Sequence, residues 1–207
     1  MAVTAVDTAG DLSLRRRIAI VPLSIDPERG QGLIADLASR ASTDASPEAQ
    51  TLFDLLQSDE RLSRFLSAVM ANSAYLRDLC LLDPARLGRI LSTDPDARIA
   101  AMIEMARGAR ADSEADLMRV LRKLKQELAL SLGLADIAGA VDLDVVTRAL
   151  AGFADAALTA AIRFCLRDLA ARGRFEIADP DQPEVNSGLI VLAMGKHGAF
   201  ELNYSSD

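Results

Sequence analysis

Apolar residues at helical spacing dominate residues 46–173, and this pattern limits the possible folds more than any other feature of the chain. The clearest series is four leucines from Leu117 to Leu128, at intervals of four, three and four residues. These intervals place the leucines along one side of a helix, which other helices must cover. The pattern therefore predicts a mainly α fold. Its core must be built from Leu, Ala, Ile and Val, because aromatic residues make up only 4% of the chain.

Residues 47–110 are predicted to form short helices joined by brief polar turns. Ser46 can cap the first of these helices, since Pro47 suits the first helical position. Asp83-Pro84 and Asp94-Pro95 mark two later boundaries. Such short helices suit a platform for a partner protein or a plain helical core, and the pattern favours neither.

Residues 111–187 are predicted to contain two long helices and a polar connector. Acidic residues lead the first helix and basic residues follow, which is the order that the helix dipole favours. The second helix is rich in alanine and would extend for about 40 Å. The first long helix is predicted to start at Asp112 or Ser113 and to end near Leu132. The second is predicted to start at Asp142 or Asp144 and to end near Arg172.

Residues 1–46 are rich in Ala, Ser, Thr, Asp and Gly and have little periodicity, which predicts a flexible leader. Within it, the short apolar segment Ile18–Leu23 is expected to dock on the helices. The triplet Arg15–Arg17 is expected to be solvated, although contact with an acidic partner is the alternative.

Charge and cysteine content exclude several classes of protein. The net charge of −7 argues against a nucleic-acid binder, which usually has a basic excess. No apolar run approaches the roughly 20 residues that span a bilayer, so no membrane is expected as a partner. Cys80 and Cys165 are expected to be small buried residues rather than a disulfide or a metal site. The chain is therefore expected to be cytoplasmic.

The run Leu189–Met194 favours a buried strand over a turn of helix, because it is short, wholly apolar and bounded by Gly188 and Gly195. No other segment has the pattern of its partner strand. A single strand with unpaired edges does not make a stable sheet. We therefore expect this chain to be a fragment whose remaining strands follow Asp207.

A glycine turn with a cation follows the predicted strand. Gly195 and Gly198 permit a close approach of backbone amides to an anion, and Lys196 adds a charge that suits phosphate. The pattern is not a P-loop, because Ile190 stands where the first glycine of that motif would be. An ordinary polar turn accounts for these residues about equally well.

The last three residues could complete a metal-dependent phosphate site. Ser205 and Ser206 offer small hydroxyls, and Asp207 offers the hard oxygen that Mg²⁺ prefers. Phosphoryl chemistry usually needs a second acid beside the first. If Asp207 opens a strand, that acid is expected two positions later, on the same face.

The stretches Gly195–Gly198 (GKHG) and Glu201–Asp207 (ELNYSSD) resemble the nucleotidyltransferase signature of the bacterial glutamine synthetase adenylyltransferase family. Segments near Asn72–Leu76 and Leu121–Gly139 are also similar to the family, so that residues 48–207 fit it. The family has two nucleotidyltransferase domains of the DNA polymerase β superfamily, separated and preceded by helices. The resemblance implies a helical N-terminal region that leads, at residues 188–207, into the first strand of a truncated polymerase β-type nucleotidyltransferase α/β domain.

The resemblance also implies roles for individual residues. Asp207 falls on the first acid of the metal-binding pair, so it is expected to be catalytic and to bind Mg²⁺. The family's phosphate-gripping glycine turn falls on Gly195 and Lys196. His197 departs from the aliphatic residue that is more usual in the family at this position.

The form and place of the motif resemble the first of the family's two domains. That domain removes AMP from the adenylylated tyrosine of glutamine synthetase by phosphorolysis, giving ADP, and the second domain attaches AMP from ATP. The expected partners are glutamine synthetase and a nitrogen-signalling regulatory protein. This chain alone is expected to be inactive, because it lacks the second metal-binding acid. The alternative function is a non-catalytic helical module that binds a protein.

Overall fold

A computed structural model describes residues 11–205, and this part of the chain is mainly helical, with no β-strand. It contains a 3₁₀ turn, Leu14–Arg17, and nine α-helices. The helices are α1 Pro27–Thr43, α2 Pro47–Ser58, α3 Glu60–Asn72, α4 Ala74–Leu82, α5 Pro84–Ser92, α6 Pro95–Arg107, α7 Glu114–Ile137, α8 Leu143–Ala171 and α9 Gly195–Gly198. The prediction of a mainly α fold is confirmed.

The chain divides into two compact units. Among the described residues, the first unit comprises 11–95 with 138–140, and the second comprises 96–137 with 141–205. The grouping differs from the predicted division at residue 110, because α6 belongs almost entirely to the second unit. Ile99 and Met102 of α6 are buried in the core of that unit.

Each helix from α1 to α5 begins with the same capping device. An Asp or Ser side chain before the helix accepts a hydrogen bond from a backbone N–H in the first turn, which satisfies one of the donors that a helix start leaves free. The caps are Asp26, Ser46, Asp59, Ser73 and Asp83, with N···O distances of 3.0, 3.3, 3.0, 3.2 and 2.8 Å. These caps explain why the short helices predicted in residues 47–110 form where the sequence placed them.

Residues 27–43, which the sequence pattern assigned to a flexible leader, form helix α1. This is a correction. Asp26 caps the helix, and Leu37 and Ala41 are fully buried in the first unit. Gly30 lets α1 approach α3 closely, since a Cβ atom there would lie 2.3 Å from Ser67 Oγ.

The segment before α1 is also held in the first unit. Ile18 is buried as expected, and the N–H groups of Ala19 and Ile20 donate to the carbonyl of Ala138 at 2.9 and 3.0 Å. Leu23, in contrast, is 92% exposed. The expectation of a solvated arginine triplet is wrong for Arg17, whose guanidinium contacts Asp94 at 3.0 Å.

The core of the second unit forms where α6, α7 and α8 pack together. Most of the predicted leucine series lies in this core, where Leu124 and Leu128 are buried and Leu121 packs against them, and Leu117 is also buried. Helix α8 contributes Val146, Ala149, Phe153 and Ala156 to the same core. Ser113 caps α7 by accepting from the N–H of Asp116 at 3.1 Å.

Helix α7 continues to Ile137, five residues beyond its predicted end near Leu132. Gly133 lies inside the helix and is buried, so that it is a packing position and not a terminator. The chain turns instead at Gly139, where φ is +67°. A left-handed backbone of this kind suits glycine, which has no Cβ atom. Gly173, with φ +65°, follows α8 in the predicted place.

Helix α8 meets the length and composition of a membrane-spanning helix, with a mean hydropathy of 1.5 over 18 residues. The expectation that no segment approaches this limit is therefore wrong. The core helix of a folded unit can meet the same limits, and α8 buries Val146, Phe153 and Ala156 within the second unit.

The two cysteines differ in burial, and both are free thiols. Cys80 is buried as expected, and burial raises the pKa of its thiol to about 12. Cys165 is exposed, contrary to the expectation, because it lies on α8 beside the buried Leu166 but on the solvent side of the helix.

The apolar run Leu189–Met194 is not a strand in the structure, although the sequence pattern favours one. Its large side chains are between 52% and 81% exposed. A strand needs a neighbouring strand to satisfy its backbone N–H and C=O groups, and residues 11–205 contain no second strand.

Candidate functional site

The candidate site is the segment 195–205, which follows this exposed run. Its first part is the single turn α9, in which Ala199 N–H donates to the Gly195 carbonyl at 3.0 Å. Gly195 has φ +57°, a conformation that other residues rarely adopt. A Cβ atom on Gly198 would lie 2.5 Å from the carbonyl oxygen of Ala193. The backbone conformation at position 195 and the close approach at position 198 therefore both require glycine. The predicted glycine turn is present.

Lys196 lies between these glycines with its side chain exposed. Its backbone carbonyl accepts a 2.7 Å hydrogen bond from Glu201 N–H, which closes the turn. In residues 11–205 no carboxylate forms an ion pair with the Lys196 ammonium group. The cation is therefore available to an incoming anion.

His197 connects this turn to helix α8. Its Nε2 atom lies 2.8 Å from Oδ1 of Asp155, and the two side chains are 26% and 43% exposed. The sequence pattern marked His197 only as a departure from the family's usual aliphatic residue, and it gave no sign of this pairing. Forty-two positions separate the two residues, so no local spacing could indicate the contact.

Two further contacts hold the segment downstream of His197. The Arg148 guanidinium lies over the ring of Phe200, 5.8 Å from the ring centroid, which is within the range of a cation–π interaction. Tyr204 donates from its hydroxyl to Asp136 at 3.3 Å. Burial, together with the negative charge of Asp136, raises the pKa of the Tyr204 phenol.

The remaining predicted site residues lie at the end of the segment. Ser205 is exposed, and its N–H and hydroxyl both donate to Asn203 Oδ1, at 3.2 and 3.1 Å. Ser206 and Asp207 lie outside the described residues. Among residues 11–205, no group of three or more His, Cys, Asp or Glu side chains is placed to hold a metal ion. The structure thus brings Gly195, Lys196 and Gly198 together in one turn.

Arginine side chains form hydrogen bonds and an ion pair with the polar connector, residues 179–187, that leads to this segment. Arg163 Nε on α8 donates to Glu184 at 2.8 Å, and Arg167 Nε donates to the carbonyl of Pro180 at 2.9 Å. Arg110 pairs with Asp181 at 2.6 Å. The hydrogen bond from Arg163 lowers the pKa of Glu184. The predicted connector is present, and it folds back on α8.

Sequence comparison identifies relatives of this chain. The model of the family described as glutamate-ammonia ligase adenylyltransferase matches residues 63–207, which include the whole candidate site. A protein from Xanthobacter autotrophicus is 47% identical over 171 residues, covering 82% of this chain and 17% of that protein. Proteins from Rhodopseudomonas palustris HaA2 and Brucella suis biovar 1 are 41% and 38% identical, covering 94% and 98% of this chain and 20% of each protein.

All three relatives carry the name bifunctional glutamine synthetase adenylyltransferase/adenylyl-removing enzyme. The chain spans about a fifth of the length of these curated relatives. No solved structure matches it. The family match covers most of the chain and contains the glycine turn and the acidic motif from which the resemblance was drawn. The chain therefore belongs to the glutamate-ammonia ligase adenylyltransferase family.

Proposed function

We propose that this chain is the N-terminal part of an enzyme that controls glutamine synthetase by reversible adenylylation of a tyrosine. The observation that carries the proposal is the family match over residues 63–207, because it includes the motif at 195–207. In this proposal the protein is cytoplasmic and its partners are glutamine synthetase and a nitrogen-signalling regulatory protein. Neither nucleic acid nor a membrane is a partner.

The half of the enzyme represented here is proposed to remove AMP. The proposal is supported by the resemblance of the motif Glu201–Asp207, in form and in position along the chain, to the family's first domain. In the proposed reaction an oxygen of inorganic phosphate attacks the phosphorus of the AMP group. The bond from phosphorus to the tyrosine oxygen breaks, the tyrosine regains its proton, and ADP is released. The ATP-dependent attachment of AMP belongs to the second domain.

The chain's own residues would bind and orient the phosphate groups. Lys196 would neutralise phosphate charge, and the glycine turn would let the backbone approach the phosphate oxygens. The hydroxyls of Ser205 and Ser206 would donate to the same oxygens. In this class of reaction, catalysis is mostly positioning and charge neutralisation, which suits a site of this composition.

Mg²⁺ is proposed as the cofactor, and Asp207 as a residue that holds it. A carboxylate is a fitting donor for this hard cation, which when bound neutralises charge on phosphate oxygens. A single carboxylate does not complete such a site, and no cluster of donors lies in residues 11–205. We therefore propose that the complete protein has a second acid two positions after Asp207, and that the 207-residue chain alone is inactive.

The exposed run Leu189–Met194 is proposed to become a strand of the nucleotidyltransferase sheet in the complete protein. Exposed apolar side chains of this number usually mark a surface that another part of a protein covers. An extended, wholly apolar segment is suited to a strand that is covered on both faces.

The role of Asp207 can be tested in the complete protein with Asp207→Asn. We expect the variant to lose phosphate-dependent release of AMP from adenylylated glutamine synthetase, measured as ADP formed, while ATP-dependent adenylylation continues. The matched control is Asp112→Asn, which removes an exposed carboxylate from the second unit. Undiminished release by Asp207→Asn would remove this residue from the mechanism. Loss of adenylylation alone would assign the chain to the other activity.

A helical protein-binding module is the second candidate, and a groove in the first unit favours it. The groove has a volume of about 580 Å³ and is lined by apolar side chains that include Val21, Leu23 and Ile34, with Arg64 and Glu60 among its polar residues. If it binds glutamine synthetase, Ile34→Glu should abolish co-purification of the two proteins. The control Ala35→Glu, on the exposed side of the same helix, should leave binding unchanged. Equal binding by both variants would exclude the groove.

A further inference from the structure

We propose that Asp155 of α8 is a positioning residue that holds the Lys196 turn in place through His197. The inference rests on the proposed function, because that function makes this turn a phosphate-binding element. Asp155 acts on the turn and does not itself touch phosphate. Neither residue belongs to the acidic motif at 201–207.

The contact indicates which nitrogen of the His197 imidazole ring carries a proton. Nε2 of His197 lies 2.8 Å from Oδ1 of Asp155. An ionised carboxylate can only accept a hydrogen bond, so the ring must carry a proton on Nε2. This holds for both the neutral ring and the charged ring, and in the charged ring the contact is also an ion pair.

The contact restrains Lys196 because His197 is its neighbour in a single tight turn. The turn depends on Gly195, with φ +57°, and on Gly198, which packs against the carbonyl of Ala193, and glycine itself does not restrain the backbone. A helical turn of four residues is not stable alone, because forming the first turn fixes several residues for one hydrogen bond. The side-chain contact to α8 supplies an additional restraint.

Helix α8 provides a rigid mount for this restraint. Asp155 lies two residues after Phe153 and directly before Ala156, and both of these neighbours are buried in the core of the second unit. Arg148, which covers Phe200, lies seven residues before Asp155 and hence about two turns away on the same side of the helix. Helix α8 therefore contacts the segment 195–205 at two points, at His197 within the turn and at Phe200 just after it.

The state of His197 can be read directly, since it is the chain's single histidine. In the 207-residue chain, ¹⁵N chemical shifts of the imidazole should show the Nε2-protonated form, and the Glu201 amide, whose N–H donates to the Lys196 carbonyl at 2.7 Å, should exchange slowly with solvent. Asp155→Ala should give a mixture of tautomers and faster exchange. The matched control is Asp168→Ala, which removes a partly exposed carboxylate that pairs with Arg172 on the same helix. This control should leave both signals unchanged.

The consequence for the reaction is measured in the complete enzyme. Asp155→Ala and His197→Ala should each raise the KM for inorganic phosphate about tenfold, with a smaller change in kcat, because the cation is less well placed. The double variant should be no worse than either single variant, since both remove one link. His197→Gln should restore most of the affinity, because its amide can donate to Asp155.

Two results would overturn the inference: wild-type phosphate KM values in both single variants, or defects that add fully in the double variant. A wild-type enzyme that releases no AMP would contradict the proposed function instead. In that case the His197 tautomer and the exchange of the Glu201 amide still decide whether Asp155 holds the turn, and no change of either in Asp155→Ala would reject the inference.

Discussion

At the scale of single residues, burial separates two side chains that look equivalent in the sequence. Cys80 and Cys165 both lie on helices among apolar neighbours, yet only Cys80 is buried. Burial disfavours the thiolate, the form that reacts, and raises the pKa of Cys80 to about 12. Which side of a helix faces the core is decided by packing, and the sequence pattern did not distinguish the two.

This difference predicts the reactivity of the two thiols. At pH 7 the native chain should react with a disulfide reagent at one thiol, and Cys165→Ser should abolish that reaction. The chain unfolded in denaturant should react at two thiols. Rapid modification of two thiols in the native chain would contradict the burial of Cys80.

Glu184 shows how an ion pair stabilises the connector before the site. Arg163 donates to its carboxylate and lowers its pKa from the ordinary value of 4.5. Because the folded-state pKa is depressed, the stabilisation is present above the unfolded-state value and is lost as the pH falls through the folded-state value. The pair therefore contributes at neutral pH and is lost in acid, below about pH 4.5.

Glu184→Gln should lower the free energy of unfolding at pH 7 by about 1 kcal/mol, the size expected of a partly buried ion pair. The difference from wild type should shrink as the pH is lowered below about 4.5. Denaturant unfolding at several pH values measures it. Glu176→Gln, an exposed change shortly before the connector, is the control and should have little effect. A difference that persists unchanged in acid would refute the ion-pair account.

At the scale of the elements, close packing between helices depends on glycine. Gly88 of α5 faces the backbone of α2, where an added Cβ atom would lie 2.1 Å from the carbonyl oxygen of Glu48. Backbone cannot move aside as a flexible side chain can. The approach of α5 to α2 is therefore possible only because position 88 carries no side chain.

Gly88→Ala should destabilise the first unit by about 2 kcal/mol, because the two helices must move apart. Gly32→Ala is the matched control, since Gly32 is also helical and an added Cβ atom there would meet nothing within 4 Å. It should stabilise the chain by about 0.5 kcal/mol, because alanine favours a helix over glycine. Thermal or denaturant unfolding of the two variants tests the prediction, and equal effects would contradict it.

Element boundaries were predictable where local chemistry sets them. The predicted helices from Pro47 to Gly173 are present, since caps, prolines and glycines act on their own neighbours in the chain. Helix α1 was missed even though Asp26-Pro27-Glu28 carries the same start signal as Ser46-Pro47-Glu48. Its apolar face is narrow, and only Gly30, Leu37 and Ala41 are buried, so periodicity gave a weak signal.

At the scale of the whole molecule, the family and the place of the candidate site were readable from the motif at 195–207. The match over residues 63–207 confirms the family. The glycine turn is present where it was predicted, whereas the run before it is exposed and unpaired in residues 11–205. A strand depends on partner strands, so an apolar pattern alone could not place this run in a sheet.

The helical class, most helix limits and the family membership follow from residues that are close together in the chain. The covered side of each helix, and the side chains that hold the candidate site, depend on how the helices pack. His197 and Asp155 are 42 positions apart, and Tyr204 and Asp136 are 68 apart. Such contacts form because folding brings distant residues together, so the spacing of residues along the chain does not predict them.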